Sequence, residues 1–137
     1  MSTPIPAATL KELESAARAA AGRAYAPYSK FRVGAAVLGD SGKIHAGCNV
    51  ENASYGLTSC AERNAIFAAI AAGEHAIRAV VIYTPTPTAT APCGACRQVI
   101  REFGPDALVI SVCDGNGRIE STLGELLPKS FGPEDLG

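Results

Sequence analysis

Apolar and polar positions change period several times along the chain, and each change marks an element. Leu10, Leu13, Ala17, Ala20, Ala21 and Ala24 recur at helical spacing and predict a first helix with a thin apolar stripe. Thr9-Leu10-Lys11-Glu12 reads as the capping box that opens it. The helix is expected to end before Pro27, because the residue ahead of a proline avoids the helical region. Residues 31–38 and 43–50 read as two strands joined by the hairpin-type turn Gly39-Asp40-Ser41-Gly42. A loop, 51–59, leads into a helix over 60–72, with Ile66, Phe67 and Ile70 on one side and Gly73 as its stop. Residues 77–83 contain the run Val80-Val81-Ile82-Tyr83, the mark of a buried strand.

The Thr- and Pro-rich stretch 84–92 is a loop too short to divide two domains. A third helix over 93–103 stops at Gly104-Pro105, and 107–113 is another buried strand. After the turn Asp114-Gly115-Asn116-Gly117 come a short edge strand at 118–120 and a last helix. Thr122-Leu123-Gly124-Glu125 opens that helix, and Pro128 ends it. The tail 129–137 has no periodicity yet holds an aromatic residue, Phe131. A hairpin beside strands that alternate with helices predicts an α/β fold, a mixed sheet covered by helices. Residues 60 and 93 then both lie where a loop enters a helix. Such helix starts gather at one edge of an α/β sheet, where these folds place their sites.

A chain of 137 residues predicts one domain over 1–137, large enough to bury a core. No run approaches the roughly 18 apolar residues of a membrane helix. Residues 1–10 have neither a basic start nor an apolar stretch, so no leader is expected. With 12 basic and 13 acidic residues, there is no excess of positive charge to bind a polyanion. High apolar content at near-zero net charge excludes intrinsic disorder. Ala supplies 25 residues, so the helices are thin-sided and suited to packing closely, against each other or against other subunits.

The five cysteines, Cys48, Cys60, Cys93, Cys96 and Cys113, are odd in number and predict a reducing, cytoplasmic setting rather than a disulfide framework. The informative segments are Cys60-Ala61-Glu62 and Pro92-Cys93-Gly94-Ala95-Cys96. A Cys-x-x-Cys pair at a helix start places two sulfurs on one ion, and Cys60 supplies a third. Helix N-termini stabilise thiolates. Three protein ligands and one open position make the catalytic zinc pattern, whereas four make a structural site.

A redox dithiol leaves the third cysteine and its neighbouring Glu unexplained. Structural zinc stays open as the alternative, with Cys48 or Cys113 as fourth ligand. Both read more simply as small buried hydrophobes. His75 lies beyond the far end of its helix, and His45 sits on a strand beside a turn, exposed or satisfied by a neighbour.

Five blocks in order carry a resemblance. They are Tyr28-Ser29-Lys30-Phe31-Arg32-Val33-Gly34-Ala35, the stretch from Asn49 through Glu51 to Tyr55, Cys60-Ala61-Glu62-Arg63, the stretch from Pro92 to Gln98, and Ser130-Phe131-Gly132-Pro133. Together they resemble the zinc-dependent cytidine deaminases. The resemblance implies a three-layer α-β-α sandwich around a mixed sheet of about five strands. It also implies hydrolysis of cytidine and 2′-deoxycytidine to the uridine forms with release of ammonia. Relatives that act on RNA carry His in place of Cys60, so the three-cysteine set points to the branch that takes free nucleosides.

Carried over by resemblance, Cys60, Cys93 and Cys96 hold Zn2+, and Glu62 is the proton shuttle of zinc deaminases in general. The plain reading of Glu62 is an acid at a helix N-terminus, and the two roles share one position. Arg63 donates to the thiolates and offsets their charge; otherwise it is a solvated helix arginine. The first-turn amide of Ala61, unpaired within its helix, meets the pyrimidine carbonyl. Asn49 and Glu51 hold the ribose 3′-hydroxyl, where a carboxylate accepts from a hydroxyl and repels a phosphate. Their alternative is ordinary loop polarity. Phe31 packs on the nucleoside, or in the core, or both. Tyr55 lies near a subunit boundary, and Phe131 reaches a neighbour's site in a homotetramer. An aminohydrolase for a modified cytosine nucleoside of the blasticidin type shares the same zinc core. A non-catalytic zinc module does not explain Glu62.

Overall fold

The first helix starts earlier and stops sooner than its motifs predict. In the computed structural model, which describes residues 4–137, helix α1 spans Ala7–Ala21. Residues 1–3, the head of the segment read as carrying no leader, lie outside the described residues. Pro6 takes the N-cap place, and Leu10 N–H closes the first turn on its carbonyl at 3.1 Å. Ala7 and Ala8 are strong helix formers, so Thr9 falls inside the first turn and the expected Thr9–Glu12 capping box does not form. At the other end Gly22 caps the helix, ahead of Ala24.

Strand β1 (Gly34–Gly39) and strand β2 (Ile44–Cys48) form the hairpin, each shorter than predicted. The cause is Asn49. Its side-chain Oδ1 accepts from Val33 N–H at 2.9 Å, and its Nδ2 donates to Phe31 C=O at 2.7 Å. The Asn49 side-chain amide thus carries the pairing at Phe31 C=O and Val33 N–H, while one backbone bond, from Asn49 N–H to Val33 C=O at 3.2 Å, remains. The first part of the predicted strand leaves the sheet, and Phe31 is free to line a pocket.

Helix α2 (Ala61–Ala71) is followed by β3 (Ile77–Tyr83), α3 (Gly94–Phe103) and β4 (Leu108–Val112). The edge strand β5 (Ile119–Thr122) and helix α4 (Leu123–Leu126) complete the sheet region. The capping box of α4 is present: Glu125 N–H donates to the Thr122 hydroxyl, and Thr122 N–H donates to the Glu125 carboxylate. Single-turn 3-10 helices occupy Tyr55–Leu57 and Pro133–Leu136.

The sheet runs β2-β1-β3-β4-β5, with β3 and β4 parallel and every other pair antiparallel. Alternate residues serve two cores. Ala36, Leu38, Ala79, Val81, Ile110 and Val112 pack with Leu13 and Ala17 of α1. Ala35, Val37, Val80, Ile82 and Val109 pack on the other face with Ala65, Ile66 and Ala69 of α2 and Ile100 of α3. The result is a three-layer α-β-α sandwich.

Two glycines set the layer spacing. A Cβ at Gly34 would fall 1.8 Å from the Ala17 carbonyl oxygen, and one at Gly47 would fall 2.4 Å from Ala65 N. The helices therefore lie directly on the sheet. Phe67, expected on the buried side of α2, is 50 % exposed; Ala65, Ile66 and Ala69 hold that face instead. Among the described residues no helix is long and apolar enough to cross a membrane.

Glu74 is 6 % exposed, and its carboxylate accepts from Ser41 N–H at 3.1 Å and pairs with His45 Nε2 at 2.7 Å. His45 is thus satisfied internally. The Ser41 hydroxyl, first, and His45, second, hold the Glu74 carboxyl down to about 2. An unfolded glutamate titrates near about 4.3. The stability supplied by this group is therefore complete above about pH 4.3 and is lost as pH falls toward the folded value. Glu74→Gln is expected to lower the melting temperature at neutral pH and to flatten this acid limb, as read by thermal melts across the acid range.

Candidate active site

Cys60 is the N-cap of α2, and Cys93 is the N-cap of α3. Both have extended backbone, so each chain segment turns into its helix at the sulfur-bearing residue. Cys96 follows one turn into α3 and is fully buried. The three Sγ atoms lie within 4.8 Å of one another, the only such group of three among the described His, Cys, Asp and Glu side chains. Tetrahedral thiolates on zinc, each about 2.3 Å from the ion, sit about 3.8 Å apart, so the three sulfurs fit the ion.

Arg63 Nη2 donates to Cys60 Sγ at 3.3 Å. The Cys60 thiol is held down to about 5, first by the Cys96 thiol that hydrogen-bonds to it and then by Arg63. The same pairing pushes Cys96 up. Cys60 is thus the sulfur of the three biased toward thiolate, and the Arg63 guanidinium offsets its charge. Cys113 takes no part. It is buried, with Sγ 3.2 Å from the Gly117 carbonyl oxygen. Cys48 is half-buried rather than buried and lies outside the sulfur group.

Beside the sulfurs is a cavity of about 200 Å³. Cys60, Ala61, Glu62 and Cys93 form its floor, and Phe31 and Asn49 line it as well. Glu62 is 5 % exposed, and burial pushes its carboxyl above the ordinary range, with the Cys60 charge adding to the effect. A carboxyl in this setting takes up a proton more readily than one in water. Asn49, with one Nδ2 hydrogen on Phe31, retains a second hydrogen for a ligand.

The remaining candidates stand farther out. The Glu51 carboxylate accepts from Tyr28 N–H at 3.0 Å, from Ser29 N–H at 3.2 Å and from the Ser29 hydroxyl, and it does not line the cavity. Tyr55 is 74 % exposed, its ring meeting Tyr28 edge-on at 6.0 Å. Phe131 is 58 % exposed, so burial in its own chain is not its role here. Its flanks are fixed to α3: Gln98 Nε2 donates to Phe131 C=O at 3.0 Å, and Arg101 Nε donates to the Ser130 hydroxyl at 2.9 Å.

Val33, Thr58, Ile82, Thr84, Thr90 and Ala91 also line the cavity, and the sequence marks none of them as a site residue in its own right. Thr84 alone offered a signal, as the polar residue that follows directly on a buried strand.

Residues 8–112 match the family described as the cytidine and deoxycytidylate deaminase zinc-binding region. A cytidine deaminase of Sporosarcina psychrophila is 43 % identical over 128 residues, covering 93 % of this chain and 94 % of that protein. A cytidine deaminase of Mycobacterium tuberculosis is 46 % identical over 122 residues, covering 89 % of this chain and 88 % of its own. The crystal structure of cytidine deaminase from Burkholderia pseudomallei superposes with a TM-score of 0.84 at 48 % identity, covering 88 % of this chain and 98 % of that one. The fold, the sulfur triad and these relatives lead to one conclusion: the chain belongs to the cytidine and deoxycytidylate deaminase family and carries its zinc-binding region.

Proposed function

We propose that residues 1–137 form one deaminase domain that hydrolyses cytidine and 2′-deoxycytidine to uridine and 2′-deoxyuridine, with release of ammonia, in cytoplasmic pyrimidine salvage. The observation that carries this reading is the buried Glu62 carboxyl lining the same cavity as Cys60 and Cys93 of the three-sulfur group. A structural zinc site has no use for an acid there. Cys60, Cys93 and Cys96 hold the zinc, which when bound supplies the Lewis acidity that makes water a nucleophile near neutral pH.

Glu62 takes a proton from the attacking water and delivers it to the ring nitrogen N3. The water oxygen adds to C4, Glu62 then carries the proton of the added hydroxyl to the exocyclic amine, and the bond from C4 to that amine breaks, leaving the C4 carbonyl and ammonia. Its raised affinity for protons suits a group that both accepts and returns one. The Ala61 amide, in the first turn of α2, donates to the pyrimidine carbonyl, and Phe31 packs on the base. Asn49, with its free Nδ2 hydrogen, and Glu51 receive the ribose 3′-hydroxyl. Arg63 holds the Cys60 sulfur and moderates the charge of the cluster.

The test is loss of cytidine absorbance, with and without a chelator, across a substrate panel. Turnover of cytidine and 2′-deoxycytidine that the chelator removes is the expected result. Substrates bearing a 3′-phosphate, and cytosine oligonucleotides, are expected to turn over poorly, since Glu51 repels a phosphate and the chain carries no basic excess. No turnover of cytidine by zinc-loaded protein would overturn the reading. Faster turnover of a blasticidin-type nucleoside than of cytidine would move it to that substrate.

The site is read as completed between subunits of a homotetramer. A cavity of about 200 Å³ is smaller than the roughly 300–1,000 Å³ of most ligand pockets. Tyr25, Tyr28, Phe31, Val50, Tyr55 and Leu57 are all exposed on the segments around it. Apolar surface gathered in this way marks an interface. Phe131, held outward by its anchors on α3, is suited to cover a base in a neighbour. Phe131→Ala is expected to raise KM for cytidine about tenfold, since burying a Phe side chain is worth roughly 1.5–3 kcal/mol. Zinc content and melting temperature should stay near those of the wild type. Steady-state kinetics and thermal melts check this, and sedimentation of a fully active monomer would refute the shared site.

A further inference from the structure

We propose that Ser29 is the residue that positions Glu51 for the sugar end of the substrate, a role that rests on the reading of Glu51 as the acceptor for the 3′-hydroxyl. The argument begins with the backbone. Tyr25 N–H donates to Asn49 C=O at 3.0 Å, and Glu51 N–H donates to Tyr25 C=O at 2.8 Å. On the other side Val50 pairs reciprocally with Ser59. Residues 49–51 are therefore extended, and Asn49 and Glu51 point to the same side. Asn49 lines the cavity, so Glu51 follows it on the cavity's side of the chain.

A carboxylate on such an open segment is free to rotate unless something holds it. Here one turn does. Lys30 N–H closes on Ala26 C=O at 3.0 Å, and Lys30 itself adopts a left-handed φ of 63°. A lysine in that region is uncommon and is kept there by its surroundings. The turn aims Tyr28 N–H and Ser29 N–H at Glu51 Oε1 and the Ser29 hydroxyl at Oε2. A carboxylate has about four acceptor positions. Three are filled, which fixes the plane of the group and leaves one position on Oε2 for a ligand hydroxyl.

The Ser29 hydroxyl also accepts from Phe31 N–H at 3.0 Å. One oxygen thus ties together the carboxylate and the backbone of the aromatic wall. Only a residue that both donates and accepts at this distance from the chain does both. Ala does neither, and Thr retains both.

The experiment compares cytidine, 2′-deoxycytidine and 2′,3′-dideoxycytidine, which lacks the 3′-hydroxyl, on wild type, Ser29→Ala, Ser29→Thr, Glu51→Gln and the double variant Ser29→Ala/Glu51→Gln. Ser29→Ala is expected to raise KM about tenfold for the two substrates that carry a 3′-hydroxyl, the scale of one charge-assisted hydrogen bond. Its kcat should stay within a few-fold, and its effect on the dideoxy substrate should be much smaller. The preference for a 3′-hydroxyl thus collapses, Thr restores it, and Ser29→Ala adds little once Glu51 is Gln. An equal loss on all three substrates, or additive effects in the double variant, would overturn the proposal by showing general damage to the turn. If Glu51→Gln removes the preference and Ser29→Ala does not, Ser29 loses its role while Glu51 keeps its own. If Glu51→Gln leaves the preference intact, the reading of Glu51 falls, and this proposal falls with it.

Discussion

Glu62→Gln is expected to cut kcat for cytidine by roughly 10²–10⁴-fold, the usual worth of a positioned proton shuttle. The amide has nearly the same shape, so the cavity floor formed with Ala61 and Cys60 stays filled. What it lacks is a site that accepts a proton and returns it. Zinc should remain at one per chain, since Glu62 is not among the three clustered sulfur donors. Stability supplies an independent readout. Burial pushes the wild-type carboxyl upward, so its charged form is disfavoured by the fold, and a neutral side chain relieves that cost. The variant should melt at or slightly above the wild-type temperature. Loss of activity with equal or greater stability identifies a group kept for chemistry, whereas loss of both identifies a structural acid. Turnover within a few-fold of wild type would remove Glu62 from the reaction.

The parts of this site that were legible in the sequence are those whose chemistry depends on local spacing. A Cys-x-x-Cys at a helix start places two sulfurs together whatever the rest of the chain does. A Cys-x-Glu at another helix start puts an acid beside the third. The buried strands were legible for a similar reason: Val80 to Tyr83 is apolar at every step because both faces of β3 are covered.

The departures come from pairings between distant residues. Nothing local says that the Asn49 side-chain amide bonds Phe31 C=O and Val33 N–H in place of a backbone partner, so the strand predicted from Phe31 begins instead at Gly34. The fixing of Glu51 by the 28–29 amides was equally invisible, because it depends on a turn more than twenty residues away. At Thr9 a correct local motif lost to a competing start, since Pro6 followed by two alanines opens a helix without a side-chain cap. Phe67 was drawn toward the core by its type, but the small residues Ala65 and Ala69 already fill the close approach between α2 and the sheet. Phe131 runs the other way. The tail has no periodicity to place it, yet the Phe131 carbonyl and the Ser130 hydroxyl pin it to α3 while the aromatic ring stays exposed.

Replacing any one of Cys60, Cys93 or Cys96 by Ala is expected to abolish stoichiometric zinc and to lower activity by more than about a hundredfold. Loss of outer hydrogen-bond partners alone often costs a metal site 10–100-fold, and a ligand is worth more. The three positions should nevertheless differ in stability. Cys96 is fully buried, so Cys96→Ala leaves a small void beneath the site, while Cys93 is exposed and its loss costs the metal-free fold little. Cys60→Ala also takes away the acceptor of Arg63 Nη2, leaving a half-buried guanidinium whose Nε already has no hydrogen-bond partner. That variant should therefore suffer a stability loss beyond the metal it gives up. Cys48→Ala and Cys113→Ala should retain zinc and activity, because neither belongs to the sulfur group and Cys113 is engaged with the Gly117 carbonyl. Metal analysis of the five purified variants, paired with melts before and after chelation, reads both quantities. Stoichiometric zinc in the three ligand variants would refute the assignment. Zinc lost on changing Cys48 or Cys113 would instead point to a fourth protein ligand, and with it to a closed, structural site.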